Sequence, residues 1–170
     1  MMRIGHGFDS HRFSDDPNRR LMLGGVCVRD DNGLAGNSDA DVVMHAATDA
    51  VLGALGLGDI GSYFDPTDAQ WSDADSAQFL AFAVGKAREQ GWQVQNIDCT
   101  VLAETPKLAP HRDAMVANMT ALCAAPVNVK ATTAEKMGAF GRGEGMACWA
   151  VALLTQEQPD SSLKLKSGNR

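Results

Sequence analysis

Residues 3–11 read RIGHGFDSH, a stretch in which large side chains alternate with glycine and short polar residues. Side chains of a β-strand point to opposite faces in turn, so this alternation predicts a strand with two unlike faces. One face carries Ile4, His6 and Phe8. The other face carries Gly5, Gly7, Asp9 and His11. A carboxylate and an imidazole are therefore expected side by side near the end of this strand.

The clearest helix signal begins at Ser38, which is expected to cap a helix with Asp41 in the acidic position of a capping box. Apolar residues then recur with helical period, and glycines between residues 53 and 61 end the helix. The other side of the helix carries Asp41, His45 and Asp49 at intervals of four residues. These three side chains are predicted to form one polar stripe.

Strands and helices alternate along the rest of the chain. Strands are expected at 21–28, as a hairpin-like partner of the first strand, and at 94–103, 127–131 and 146–155. Helices are expected at 75–90 and 111–123, with a short helical turn at 133–137. This order predicts a single domain over residues 1–155. Residues 156–170 form a polar tail that is expected to be mobile and to take no part in chemistry.

The composition excludes several classes of protein. A chain of 170 residues that is 45% hydrophobic can bury a core and is not wholly disordered. Its net charge of -6 argues against nucleic-acid and anionic-membrane partners. No apolar run is long enough to span a bilayer and no signal peptide is recognisable, so a cytoplasmic protein is expected.

The charge is unevenly distributed along the chain. Residues 1–68 contain 11 acidic and 5 basic side chains, whereas residues 101–170 contain 6 acidic and 8 basic ones. The first segment is suited to attracting cations, and the second holds most of the basic side chains that could bind an anion.

The four cysteines are far apart and contain no CxxC pair. They are Cys27, Cys99, Cys123 and Cys148. Each lies among apolar residues, and we expect buried, reduced thiols.

Asp9, His11 and His45 are a candidate metal site with one carboxylate and two imidazoles. Such a donor set with a vacant fourth position suits a catalytic zinc ion. A D-x-H tripeptide is common, however, and His11 could equally be a solvated histidine at a strand end. Asp41 or Asp49 could accept the remaining N–H of His45 and fix its tautomer, or the stripe could simply face solvent. Spacing alone leaves both interpretations open.

A second candidate site lies where the strand at 127–131 turns toward the expected helical turn. Backbone N–H groups and the hydroxyls of Thr132 and Thr133 could hold a phosphate there, with positive charge nearby from Lys130, Lys136 and Arg142. The alternative is a capping box formed by Thr132 and Glu135, and both interpretations can hold together. The glycine-rich run at 141–145 matches no Walker or dinucleotide motif.

Five motifs, at residues 3–11, 38–45, 57–61, 127–135 and 141–145, together resemble the 2-C-methyl-D-erythritol 2,4-cyclodiphosphate synthase family. The resemblance runs in order from about residue 2 to residue 155. It implies an α+β subunit with a mixed β-sheet and helices packed on one face, assembled as a homotrimer with active sites between subunits. It also implies a lyase of the non-mevalonate isoprenoid pathway, which converts 4-diphosphocytidyl-2-C-methyl-D-erythritol 2-phosphate to the cyclic diphosphate and releases CMP.

The same resemblance implies one zinc ion per subunit on Asp9, His11 and His45, and a Mg²⁺ or Mn²⁺ ion that bridges the substrate phosphates. It gives catalytic roles to Thr133 and Asn37. Substrate contacts on the metal and methylerythritol side are expected from Asp9, Ser10, His11, Asn37, Ser38, Asp59, Ile60, Gly61, Phe64, Asp65 and Asp68. Contacts on the cytidine diphosphate side are expected from Ala103, Lys107, Ala109, Thr132, Thr133, Glu135, Ala139 and Arg142.

Three positions depart from the family pattern. Asn37 stands where a histidine is usual, so it can donate an N–H bond to a phosphate but cannot carry positive charge. Pro and Asp are exchanged in the run Phe64–Asp68, which affects where Asp65 points. An aromatic near the glycine-rich run is moved by one residue, to Phe140, which affects an apolar cavity on the trimer axis.

Two other functions are compatible with the residues. A metal-dependent phosphohydrolase would need a metal-bound water placed to attack phosphorus. A trimeric binding protein with reduced activity would be consistent with the change at Asn37. The presence of the three zinc ligands, Lys107, Thr133 and Glu135 argues against such a loss of activity.

Overall fold

The computed structural model describes residues 1–156. In chain order its elements are β1 (Met2–Arg12), β2 (Leu21–Leu23), β3 (Val26–Arg29), α1 (Val42–Leu55), α2 (Ala77–Glu89), β4 (Trp92–Leu102), α3 (Arg112–Cys123), β5 (Val127–Thr132), α4 (Gly138–Gly141) and β6 (Gly145–Gln156). Two short 3-10 helices, Ile60–Ser62 and Ala69–Trp71, lie between α1 and α2. Within the described part of the chain, no helix is long and apolar enough to cross a membrane.

The main sheet has four strands in the order β1-β6-β4-β5. β6 is antiparallel to both β1 and β4, whereas β4 and β5 are parallel. The prediction of a single α+β domain with a mixed sheet is therefore confirmed. The long strands β1 and β4 begin and end within two residues of the predicted limits.

Two glycines of β1 allow α1 to lie directly on the strand backbone. A Cβ built on Gly5 would stand 1.8 Å from the carbonyl oxygen of Ala50, and one on Gly7 would stand 1.9 Å from that of Ala46. No side chain larger than hydrogen fits at either distance. The predicted alternation of faces in β1 is confirmed, because Gly5 and Gly7 are buried and the intervening His6 is exposed.

Within residues 1–156, the helices cover only one face of the sheet. That face carries the apolar core, to which the sheet contributes the fully buried side chains of Ile97, Met146 and Leu154. In the part of the chain that the structure describes, the outer face carries exposed apolar side chains from its two neighbouring strands β1 and β6. These are Ile4, Phe8, Trp149 and Val151.

Three predictions about local structure were wrong. The segment at 21–28 does not pair with β1, because β2 and β3 form a separate two-stranded hairpin with each other. The N-cap of α1 is Asp41 rather than Ser38, since the Asp41 carboxylate accepts from the N–H groups of Val43 and Met44. Residues 133–137 are not helical, and the short helix α4 begins only at Gly138. The predicted tail lies outside the described residues except for Gln156, the last residue of β6.

Candidate metal centre and substrate cavity

The structure brings Asp9, His11 and His45 together as one cluster. Asp9 Oδ2 lies 2.9 Å from His11 Nε2 and 2.9 Å from His45 Nδ1, and the two ring nitrogens are 3.3 Å apart. One ligand atom from each residue lies within 4.8 Å of the others. β1 supplies two members and α1 supplies the third, so the close packing of α1 on the β1 glycines creates the cluster.

The electrostatics of the cluster favour an ionised carboxylate between two imidazoles. Burial by itself would raise the pKa of Asp9, but hydrogen bonds and charge from His11 and His45 hold it well below its usual range. For His11, burial acts to lower the pKa, and the bond to Asp9 outweighs it and raises the pKa. The negative charge of the Asp9 carboxylate would therefore attract a cation to this cluster.

Each histidine also makes a contact through the ring nitrogen that points away from Asp9. His11 Nδ1 lies 2.7 Å from the carbonyl oxygen of Ala35, so it is the N–H donor of that ring. His45 Nε2 lies 2.8 Å from Ser76 Oγ and 3.2 Å from Ser38 Oγ. The inward nitrogens, His11 Nε2 and His45 Nδ1, are therefore the ones available to a metal. One oxygen and two nitrogen donors in this arrangement fit Zn²⁺.

Asp41 and Asp49 were suggested as acceptors that could fix the tautomer of His45, but neither accepts from its ring. The buried Asp41 carboxylate is occupied by four backbone N–H groups, two in α1 and two from Gly24 and Gly25. Asp49 Oδ1 instead accepts from the N–H of Ile60 at 2.8 Å. Asp49 thus anchors the loop after α1, and the polar stripe is neither solvent-facing nor directed at His45.

A cavity of about 200 Å³ adjoins the cluster. It is lined by Asp9, His11, Asn37, Ser38, His45, Ile60, Gly61, Phe64, Pro66, Trp71 and Phe79. Seven of these residues were predicted to bind substrate and His45 was predicted to bind metal, whereas Pro66, Trp71 and Phe79 were not predicted. Its aromatic wall is continuous, with the rings of Phe64 and Phe79 4.5 Å apart and those of Phe64 and Trp71 5.0 Å apart. The cavity thus combines a metal site with an apolar wall.

The three loop acids predicted to contact substrate make local turn contacts. Asp59 caps the first 3-10 helix through Ser62, and Asp68 caps the second through Gln70. The exposed Asp65 accepts from the N–H and hydroxyl of Thr67 at 2.8 and 2.7 Å. None of the three lines the cavity, and Pro66 takes that position. Their carboxylates hold the loop that carries Ile60, Gly61 and Phe64.

The residues predicted for the cytidine diphosphate side lie elsewhere on the molecule. Thr132, the last residue of β5, and Thr133, Glu135, Lys107, Ala109, Ala139 and Arg142 are all exposed, and Ala103 is buried. Ala109 lines a separate cavity of about 290 Å³. Ser10 also stands apart from the metal cluster, because it lies on the outer face of β1. The metal cavity contains none of these side chains.

The turn after β5 differs from both the predicted phosphate site and the predicted capping box. Thr133 Oγ1 donates to Glu135 Oε1 at 2.8 Å, so the expected capping box of Thr132 and Glu135 is absent from this described turn. The N–H groups of Ala134 and Lys136 point to Glu104 Oε1, at 3.0 and 3.4 Å. A carboxylate therefore occupies the backbone donors that a helix N-terminus would have offered to phosphate.

Comparison with known proteins identifies the family of the chain. The sequence pattern of the YgbB family matches residues 2–155. The chain belongs to the YgbB family. A relative from Xanthomonas axonopodis pv. citri (strain 306), named 2-C-methyl-D-erythritol 2,4-cyclodiphosphate synthase, is 53% identical over 155 residues, which cover 89% of this chain and 92% of that protein.

Solved structures extend the similarity of this YgbB-family chain to its fold. The bifunctional IspDF from Campylobacter jejuni is 42% identical with a TM-score of 0.88, over 93% of this chain and 43% of that larger one. The CDP complex of IspF from Plasmodium falciparum is 31% identical with a TM-score of 0.80, over 92% and 97% of the two chains. Both similarities cover more than nine-tenths of this chain.

Sequence reasoning missed two groups of residues in this YgbB-family site. Ser76 and Asp39 lie behind His45, and Pro66, Trp71 and Phe79 complete the cavity wall. Ser76 precedes a predicted helix, where a serine is normally interpreted as a cap. Phe79 has the spacing of a core residue of that helix. Only the fold shows that both also reach the site.

Proposed function

We propose that this YgbB-family chain converts 4-diphosphocytidyl-2-C-methyl-D-erythritol 2-phosphate to 2-C-methyl-D-erythritol 2,4-cyclodiphosphate. An oxygen of the 2-phosphate attacks the β-phosphorus of the diphosphate, and the bond between that phosphorus and the oxygen of CMP breaks. CMP leaves with the electron pair of that bond. The observation that carries the proposal is the Asp9, His11 and His45 cluster beside an apolar cavity, in a chain whose relative bears the synthase name.

Positioning and charge neutralisation are the main tasks of a site for this reaction. Two anionic groups must approach in line, and the attacking phosphate is already ionised, so the mechanism needs no general base. A zinc ion held by Asp9, His11 and His45, and a Mg²⁺ or Mn²⁺ ion on the substrate phosphates, would supply the neutralising positive charge.

Different residues of the chain are proposed to bind different parts of the substrate. The aromatic wall of Phe64, Trp71 and Phe79 fits the methylerythritol carbons, because it offers apolar contact next to the polar cluster. Asn37 lines the same cavity and presents an amide that can donate to a phosphate oxygen. Lys107, Thr133 and Arg142 are exposed and are proposed to hold the cytidine diphosphate.

The distance between the residues on the metal side and those on the cytidine diphosphate side supports a homotrimer with active sites between subunits. Asp9 and His11 lie on β1, and Thr132 ends β5, at opposite edges of the four-stranded sheet. Three strand spacings amount to about 14 Å, so one subunit does not gather both groups around one cavity. A neighbour would bring its basic nucleotide segment to the acidic metal segment of this chain, and it would cover the exposed apolar outer face of the sheet. We assign the activity to residues 1–155 of a cytoplasmic enzyme, with residues 156–170 taking no part.

The test is a ³¹P NMR assay of the purified full-length chain with the diphosphocytidyl substrate, Zn²⁺ and Mg²⁺. Stoichiometric CMP and a cyclic diphosphate are expected. Release of inorganic phosphate would show a phosphohydrolase, and saturable binding without turnover would show a binding protein. Either result would overturn the proposal.

A pair of matched variants links turnover to the metal cluster. Asp9→Asn removes the cluster's carboxylate charge while keeping its size, and it should abolish CMP release and zinc uptake. Asp15→Asn makes the same change on a side chain that is 88% exposed, and it should leave both unchanged. Equal activity of the two variants would contradict the assignment of the site.

A further inference from the structure

We propose that Ser76, held by Asp39, is a positioning residue that fixes the tautomer of His45 so that Nδ1 is free for the metal. The inference deepens the proposed function, since it rests on the metal site of that proposal. Its ligand class is a divalent cation of the zinc type. The residues involved come from three separate parts of the chain: the segment before α1, α1 itself, and the residue before α2.

The contacts form a chain that leads away from the metal cluster. His45 Nδ1 faces Asp9, and His45 Nε2 on the other side lies 2.8 Å from Ser76 Oγ. Ser76 is fully buried, and its hydroxyl donates to Asp39 Oδ1. Asp39 also accepts from the backbone N–H of Ser76 at 3.2 Å and from that of Asp41 at 3.1 Å. The carboxylate is thus held by three donors.

The positions of the protons follow from this arrangement. A serine hydroxyl has a single hydrogen, and a carboxylate can only accept, so the hydrogen of Ser76 is committed to Asp39. Ser76 Oγ must then accept from His45, which places the ring proton on Nε2. Once Nδ1 has lost the proton through which it bonds to Asp9, the neutral ring presents the Nδ1 lone pair on the side of Asp9 and His11, where a metal would be held. Asp39 therefore acts on His45 only through Ser76.

The placement of Ser76 does not follow from helix capping alone. It occupies the position before α2, where a serine normally accepts from an N–H of the first helical turn. Its side chain makes no such bond. Asp75 Oδ1 instead accepts from the N–H of Ala77 at 2.8 Å. The Ser76 hydroxyl instead contacts His45 and Asp39, with Ser38 Oγ farther away at 3.5 Å.

Ser38 is the nearest alternative partner of His45, and its geometry is weaker. Its hydroxyl lies 3.2 Å from Nε2, against 2.8 Å for Ser76. Ser38 Oγ accepts from the N–H of Ala40 and has no carboxylate contact among the described hydrogen bonds. Ser38 can support the same tautomer but does not impose it. We therefore expect substitutions at Ser76 to have the larger effect.

The first test measures zinc affinity in metal-free protein by competition with a chromophoric chelator. Ser76→Ala should raise the zinc dissociation constant by about 10- to 100-fold, which is the range for partners behind a metal ligand. Ser38→Ala should have a smaller effect, and Ser72→Ala, an exposed serine nearby, should have none. Ser76→Thr keeps the hydroxyl and should restore most of the affinity. Wild-type zinc affinity in Ser76→Ala would overturn the proposal.

The second test needs no substitution at Ser76, so it holds even if that variant folds poorly. Long-range ¹H–¹⁵N spectra of ¹⁵N-histidine protein show which ring nitrogen carries the proton, and the chain has only 4 histidines. The His45 signals are assigned by their loss in His45→Ala. With zinc bound, we expect the proton on Nε2, and a proton on Nδ1 would overturn the proposal. Neither test uses substrate, so a protein that binds zinc but releases no CMP would overturn only the proposed function.

Discussion

Gly7 and Ala46 are so close that a Cβ on the glycine would stand 1.9 Å from the carbonyl oxygen of Ala46. This contact sets the distance between β1 and α1. The metal cluster depends on the same distance, because Asp9 follows Gly7 by two residues on the same face of the strand and His45 immediately precedes Ala46. The backbone approach and the assembly of the metal ligands are therefore one structural feature.

Gly7→Ala is expected to destabilise the protein and to disrupt the metal cluster together. The new methyl would overlap backbone, which cannot rotate away, and overpacking of this kind costs about 3 kcal/mol. Thermal unfolding and zinc uptake should both be impaired.

Gly85→Ala is the matched control for that substitution. Gly85 lies within α2, and a Cβ there would meet nothing within 4 Å. Alanine in a helix interior should stabilise by about 0.5–1 kcal/mol. A Gly7→Ala protein as stable as Gly85→Ala would contradict the account of the β1 and α1 contact.

Asn37 connects the metal side of the cavity to the loop that forms its wall. Its Nδ2 donates to the carbonyl oxygen of Asp68 at 3.2 Å, and its own carbonyl accepts from the N–H of Asp73 at 2.8 Å. Asn37→Ala keeps the backbone bond but loses the amide donor. We expect kcat/KM for CMP release to fall about tenfold, which corresponds to about 1.4 kcal/mol.

Asn37→His tests whether a charged donor is missing at this position. A protonated imidazole could carry positive charge toward the phosphates, so we expect a higher kcat than for the wild type. An unchanged kcat would contradict this and would show that the amide already supplies the required donor. Zinc affinity should be the same in both variants, because Asn37 is not in contact with Asp9, His11 or His45 through any described hydrogen bond.

The sequence alone was sufficient to predict features that depend on a local period or on a pair of motifs. The two faces of β1 follow from alternation alone, and two motifs together predicted Asp9, His11 and His45 as one metal site, which the structure brings together. Contacts between distant segments that no motif links could not be predicted in this way. Ser76 follows His45 by 31 residues, and no periodicity relates the two.

Contacts between distant segments also explain the wrong predictions for the N-cap of α1 and for the turn after β5. Asp41 fits a capping box three residues after Ser38, yet its carboxylate is held by the distant Gly24 and Gly25 as well as by α1. The N–H groups of Ala134 and Lys136 would suit a helix start, yet they bind Glu104 from the end of another strand. In each case the carboxylate also binds N–H groups of a distant segment, which the local spacing does not reveal.

The cysteines should be inert in the folded protein, with one partial exception. Cys99, Cys123 and Cys148 are buried as predicted, whereas Cys27 is partly exposed. Burial raises the pKa of Cys123 to about 12, and a bond to Cys99 together with burial raises that of Cys148. The reactive thiolate is therefore scarce at pH 8. A maleimide reagent should modify Cys27 alone, slowly, and the other three only after denaturation, as measured by intact mass. Cys27→Ser should remain unmodified when folded, and labelling of that variant would contradict the prediction.

The outer face of the sheet provides the test of the proposed homotrimer. Phe8 and Trp149 are 45% and 37% exposed, and their rings are 5.0 Å apart across neighbouring strands. Val151 on the same face is 44% exposed. An unpaired carboxylate introduced there would be buried by a neighbouring subunit at a cost on the order of 3 kcal/mol per subunit. Val151→Glu should therefore convert a trimer into monomers, as measured by size-exclusion chromatography with light scattering.

The same substitution should separate assembly from folding. Because Val151 faces away from the core of its own subunit, the variant should keep its circular dichroism spectrum while losing CMP release. Ala81→Glu places the same charge on the exposed side of α2, beyond the opposite face of the sheet, and should remain trimeric and active. A Val151→Glu protein that stays trimeric, or a monomeric variant with full activity, would show that the site does not require a neighbouring subunit at this face.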